Sequence, residues 1–124
     1  MVLNAVNAQR VLHHERPLVT SVALTRVAQD KARDMHDHHY WAHVRKDKSR
    51  VYDLEYFLEK EKYPYIEAGE NLAINYPFTS ALLAAWMASP LHRLNILYEP
   101  YKETGIAVGT ENGEVTITQI FGDR

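Results

Sequence analysis

Apolar residues recur along this chain with two different periods, and the change from one to the other separates a helical part from a strand-forming end. From Leu3 to about His14, the apolar positions Leu3, Val6, Val11 and Leu12 predict a first helix with an imperfect stripe. Arg16, Pro17 and Leu18 interrupt it. Thr20 or Ser21 then caps a longer helix on which Leu24, Ala28, Ala32 and Met35 recur near the helical repeat. This helix is expected to end near His39, and the charged run RKDKSR reads as an exposed loop. Leu54, Phe57 and Leu58 share one face of a short helix from about Asp53 to Lys62, which Tyr63, Pro64 and Tyr65 break. A loop is expected up to Gly69. The stretch from Thr79 to Met87 is apolar nearly all round, as in a helix covered on most sides and anchored by Trp86. Ser89 and Pro90 form a cap and a first-turn proline, so a further short helix runs from Pro90 to about Leu97.

The end of the chain changes period. GIAVGT, ENGE and VTITQIFG predict a strand pair, with Asn112-Gly113 suited to a two-residue type I′ turn that needs positive φ. In that register Val108 faces Ile117 and Ile106 faces Gln119, giving a mainly apolar face that can pack under the helices. Helices followed by an antiparallel pair predict an α+β fold. At 124 residues and 46% hydrophobic content, residues 1–124 suit a single domain with one core and no metal or disulfide staple.

Charge and composition narrow the partners. Fourteen basic and 16 acidic residues leave a formal charge of -2, so no overall field draws a polyanion, and a nucleic-acid partner is not expected. The absence of cysteine removes disulfides and thiol nucleophiles without assigning a compartment. No apolar run approaches the roughly 20 residues of a membrane span. The opening MVLNAVNAQR has neither a basic leader nor a long apolar stretch, so any secretory leader is expected outside this sequence.

Three residues stand out chemically. His92 falls near the third position of its predicted helix, where free backbone N–H groups and the helix dipole disfavour a charged imidazole. A neutral ring there can accept a hydrogen bond, ligate a divalent metal, take a proton or simply bridge two backbone segments. Glu70 sits in GENLA between a glycine and a segment entering the core. It either pairs structurally with backbone N–H groups or Arg93, or faces His43 and His92 across a cleft. His43 ends YWAH, at the rim of the charged loop, where the aromatic pair is expected to give its backbone a partly buried seat. Asn71 reads as a structural amide that pins loops together. His36, His39 and His43 are spaced to share a face on a continuous helix and bind zinc, but the expected helix end works against that reading, and solvated histidines are the alternative. GxSxG, HExxH and phosphate-cradling glycine loops are absent.

Taken in order, Asn7-Ala8-Gln9-Arg10, Tyr40-Trp41-Ala42-His43, Gly69-Glu70-Asn71-Leu72-Ala73, Ser89-Pro90-Leu91-His92-Arg93 with Asn95, and the closing Gln119 with Phe121-Gly122 resemble the bacterial branch of the CAP superfamily. That superfamily groups cysteine-rich secretory proteins, antigen 5 and pathogenesis-related class 1 proteins, and includes the SCP-like extracellular domains. The resemblance implies an α-β-α sandwich with a small antiparallel sheet ending in the C-terminal hairpin. It also implies an extracellular or cell-surface setting and a cleft lined by two histidines and acidic residues, held in some relatives around a divalent metal. His43, Glu70 and His92 match those cleft positions. The second acid has no counterpart, because Ser89 lies near where other members carry a glutamate, and Glu67 is the available substitute. Leu91 replaces a common glycine before His92, and Val44 to Asp47 lacks the usual proline and glycine.

Two functions follow from this reading. One is a binding module of the cell exterior, its cleft holding a divalent metal, zinc or magnesium, or a small ligand, and its surface meeting lipid, peptide or cell-envelope polymer. The other is a metal-assisted or histidine-dependent hydrolase in which Glu70, His43 and His92 are the catalytic candidates. Ser89 is the nearby hydroxyl, and capping is its expected duty. Neither catalysis nor oligomeric state is decided by the sequence.

Overall fold

A computed structural model describes residues 1–124, the side chain of Glu111 excepted. The elements run α1 (Val2–Leu12), β1 (Val19–Thr20), α2 (Val22–Asp37), β2 (Arg45–Asp47), β3 (Arg50–Tyr52), α3 (Leu54–Lys60), β4 (Glu67–Ile74), α4 (Thr79–Ala88), α5 (Pro90–Leu97), β5 (Glu103–Glu111) and β6 (Glu114–Asp123). One sheet has the order β1-β5-β6-β4, with β1 parallel to β5 and the other pairs antiparallel. β4 is therefore an edge strand.

Side chains alternate across a strand, so the sheet has two distinct faces. On one, Ala68, Ala107 and Ile120 pack with Leu24, Val27, Ala28, Phe57 and Leu58 of α2 and α3. On the other, Ala73, Ile106, Ile117 and Phe121 pack with Val2 and Val6 of α1, Leu82, Leu83 and Trp86 of α4, and Ile96 of α5. The result is the expected α-β-α sandwich. Closeness of the layers is set at Gly105, where an added Cβ would lie 2.1 Å from backbone atoms of Leu24 and Thr25. No side chain fits there, and α2 lies directly on β5 as a consequence.

Local signals read well. Ser21 caps α2 by accepting from the Leu24 amide at 3.1 Å, and Asp53 caps α3 by accepting from the Tyr56 amide at 3.0 Å. Asn112 and Gly113 take φ of 51° and 81°, as a type I′ turn requires, and Val108 pairs with Ile117 and Ile106 with Gln119. Of that hairpin face, Ile106 and Ile117 join the core while Val108 stays exposed.

Other expectations are corrected. α1 buries Val2, Val6 and Arg10, whereas Val11 and Leu12 face outward. The inward row has a four-residue spacing that ends on a charged residue. Arg10 tolerates burial because it donates to the carbonyls of Arg16, Ile96, Tyr98 and Tyr101 at 2.6–3.2 Å, tying α1 to the last turn of α5. RKDKSR is not a plain loop. Arg45–Asp47 and Arg50–Tyr52 pair as a two-stranded hairpin whose charges, Arg45 excepted, remain outside. The loop expected up to Gly69 ends sooner, since β4 starts at Glu67 and carries GENLA, paired along its length with β6.

Candidate functional site

Two histidines meet around the free edge of β4, one from each layer of helices. Glu70 points to the α2 side of the strand, and its neighbour Asn71 points to the α5 side. Alternation alone therefore sends a carboxylate to one layer and an amide to the other.

On the α2 side, Glu70 Oε1 lies 2.7 Å from His43 Nδ1, the carboxylate side chain only 4% exposed and the imidazole 57%. The shared proton sits between them with the carboxylate accepting, which turns Nε2 of His43 outward. The second oxygen, Oε2, is buried with no hydrogen-bond partner among the described residues. His43 is more exposed than its aromatic setting suggests. Its backbone is nevertheless held, since Lys31 Nζ donates to the His43 carbonyl at 3.0 Å and to the Tyr40 hydroxyl at 3.1 Å.

Lys31 is a residue that pattern reading missed. It is fully buried on α2, beneath the site, with its ammonium also over the ring of Tyr40 at 4.7 Å. Burial pulls its pKa below the ordinary lysine value, and the negative charges of Glu70 and Asp34 work against that pull. Its signal was present: Lys31 falls on the inward row of Leu24, Val27, Ala28 and Met35, where an apolar residue is expected. Alongside it, Arg45 grips Asp34 with two bonds of 2.9 Å, and Tyr40 donates to the same carboxylate at 2.5 Å. Burial raises the Asp34 pKa, but the bonds from Arg45 and Tyr40 outweigh it and leave the carboxyl below its usual range. This network folds residues 40–45 back onto α2 and thereby places His43.

On the α5 side, His92 occupies the third position of its helix as expected. Burial, and then the neighbouring His43, hold its imidazole below the ordinary histidine pKa. The neutral ring expected from helix position is also the form its surroundings favour. Its Nδ1 lies 2.9 Å from Ser89 Oγ, and its ring stacks on Trp86 with centroids 6.2 Å apart. Ser89 makes no side-chain cap bond to α5, so its hydroxyl serves the histidine and not the backbone. Asn71 donates to the His92 carbonyl at 3.1 Å, and Asn95 bonds both the Glu70 carbonyl at 3.1 Å and the Asn71 side chain at 2.8 Å. Asn71 is the pinning amide that its position suggested.

The remaining expectations resolve differently. Glu67 accepts from the Tyr98 hydroxyl at 2.8 Å and, by strand alternation, faces the α5 side with Asn71, opposite to Glu70. Arg93 sits near His13 and leaves Glu70 to His43. α2 ends at Asp37 and His39 has φ of 54°, so His36, His39 and His43 do not share a helix face. Among the described residues, no group of three or more His, Cys, Asp or Glu side chains is assembled to hold a metal ion.

The sequence matches the family model of the cysteine-rich secretory protein family, CAP, over residues 3–121. The chain belongs to the CAP family. Against the uncharacterized protein YkwD of Bacillus subtilis it is 29% identical over 121 residues, 98% of this chain and 46% of that protein. An extracellular protein containing an SCP domain from Bacillus anthracis superposes on 99% of this chain and 39% of its own length, with a TM-score of 0.80 and 28% identity. An outer surface protein of Borrelia burgdorferi, 17% identical, shares the fold with a TM-score of 0.87 over 99% of this chain and 90% of its own. This CAP domain thus spans less than half the length of YkwD and of the Bacillus anthracis protein. These two structural neighbours are an extracellular and an outer surface protein of bacteria, and no helix among the described residues is long and apolar enough to cross a membrane.

Proposed function

We propose that this CAP domain is a ligand-binding module of the bacterial cell exterior, with its binding site at the β4 edge between His43 and His92. The observation that carries the reading is that both rings are anchored through Nδ1, at 2.7 Å to Glu70 and 2.9 Å to Ser89. No described residue takes Nε2 of either ring, so both present that nitrogen to whatever enters.

The donor set suits a divalent ion of borderline softness. Neutral imidazole nitrogens favour zinc over oxygen-seeking magnesium, and a carboxylate behind one imidazole is the usual way a metal-ligating histidine is oriented. His43 and His92 would hold the ion, Glu70 would orient His43, and Ser89 would fix the His92 ring. Two imidazoles leave coordination positions for water or for a polar group of a second ligand. The extracellular setting rests on the neighbours of this domain, and lipid, peptide or envelope polymer remain the partner classes for its outer surface.

Calorimetric titration with zinc tests this directly. Saturable binding is expected for the parent protein, with loss of at least tenfold in affinity for both His43→Ala and His92→Ala. Equal binding by all three proteins would remove the cleft from the reading.

The His43–Glu70 pair also supports a second reading, because a carboxylate-oriented imidazole is the arrangement of a general base. In a hydrolase, Nε2 of His43 would draw a proton from a water, and Glu70 would stabilise the charged ring. Ser89 is engaged with His92, which leaves water as the nucleophile. Cleavage of peptide or ester substrates by the parent protein, abolished in a folded Glu70→Ala variant, would favour the enzyme. Inactivity across such substrates would favour the binding module.

A further inference from the structure

Four residues along β4 from Glu70, about 13 Å at the strand rise, Ile74 lines a separate cavity of ≈ 500 Å³. Its walls are the last turns of α2, the Tyr40-Trp41 segment and the distal half of the β5–β6 hairpin. None of His43, Glu70 or His92 lines it. Two residues of the histidine-rich stretch, His36 and His39, line this cavity.

The lining is uneven in a way that defines a ligand. Met35, Ile74 and Ala32 make an apolar floor, and Trp41, 38% exposed, offers a flat aromatic face at the rim. Arg33 supplies a permanent cation, 67% exposed and tied only loosely to Asp30 at 3.6 Å. Thr110, Asn112 and Thr116 add hydroxyl and amide groups from the hairpin. Among the described residues, no carboxylate lines it. An indole and a guanidinium lining one cavity suit a flat or ring-shaped body carrying a negative charge, which stacks on the one and pairs with the other. Cavity size allows one or two rings, within the range of small-molecule sites.

We propose that this cavity is a second ligand site, distinct from the β4-edge site, which takes a ring-bearing carboxylate. The ring lies against Trp41 and the apolar floor, and the carboxylate reaches Arg33. The same chemistry is found in aromatic acids and in acidic sugars, and the hairpin hydroxyls and amide suit the latter additionally.

The test is a titration of the whole chain with four probes: 2-naphthoate, its neutral analogue 2-naphthalenemethanol, glucuronate, and neutral glucose. Binding is followed by tryptophan fluorescence and by amide shifts of residues 109–116. One of the two acids is expected to bind saturably and at least about fivefold more tightly than its neutral analogue, a ratio in keeping with a partly exposed ion pair. Preference for naphthoate or for glucuronate tells which source of the shared chemistry the cavity accepts. Arg33→Gln should weaken the acid about fivefold and abolish its advantage over the neutral analogue, and Trp41→Ala should weaken both. His92→Ala should bind the acid as the parent does, which separates this site from the one at the β4 edge. The proposal is overturned if neither acid binds, if acid and neutral analogue bind alike, or if Arg33→Gln, folded by its melting curve, binds like the parent.

Discussion

Nδ1 of His43 and Oε1 of Glu70 lie 2.7 Å apart across 27 residues of sequence, the imidazole at the surface and the carboxylate beneath it. A buried acceptor under an exposed ring fixes which nitrogen faces out. Replacing Glu70 with glutamine keeps the shape but removes the charge. Zinc affinity should fall by about 10- to 100-fold in calorimetry, as for other second partners of metal-bound histidines. An unchanged affinity would show that Glu70 does not act through His43.

Acid should weaken the fold in two steps. The His92 pKa lies below the ordinary 6.5, so below about pH 6.5 the unfolded chain takes up a proton that the native state resists. Stability is then lost as pH falls from 6.5 toward the native pKa, and His92→Asn should flatten that part of the profile. Asp34, held below its ordinary 3.8, adds stability that is present above that value and lost as pH falls through the native one. Urea unfolding between pH 3 and 8 would resolve the two windows; a profile unaltered by His92→Asn would contradict the first.

Lys31→Met should destabilise the domain by about 2–4 kcal/mol, because the Tyr40 hydroxyl and His43 carbonyl lose their donor and Glu70 loses a neighbouring cation. Thermal unfolding reads the loss. Proton–deuterium exchange should localise it to residues 40–45, and exchange confined to other regions would argue against a role in placing His43.

The two serines that precede helices should part company. Ser21→Ala removes a bond to the Leu24 amide and should cost about 1 kcal/mol. Ser89→Ala removes no backbone bond of that kind and should cost less, yet shift the imidazole resonances of His92. Equal costs with unmoved His92 signals would overturn the assignment of the Ser89 hydroxyl.

Gly105→Ala should prevent close packing of α2 on the sheet, since its methyl would lie 2.1 Å from backbone atoms. A loss of about 3 kcal/mol or more is expected in denaturant unfolding, from backbone that cannot move aside as a side chain does. A loss under about 1 kcal/mol would mean the layers separate freely.

What local sequence dictates here is whatever depends on neighbours a few residues away. Ser21 and Asp53 as caps, Pro90 in a first turn, the positive φ of Asn112-Gly113 and the resulting cross-strand partners all obey short-range sterics and hydrogen bonding. The ordered blocks from Asn7 to Gly122 carried the family and with it the sandwich. Tertiary structure decided the rest. The residues leading to Gly69 read as a loop and become a strand from Glu67 because β6 lies beside them and satisfies their backbone. Arg10 and Lys31 break their apolar rows and are buried because distant carbonyls and hydroxyls receive their protons. The pairing of His43 with Glu70, and of Ser89 with His92 in place of the helix end, depends on where β4 runs between two layers of helices, and no short-range rule contains that position.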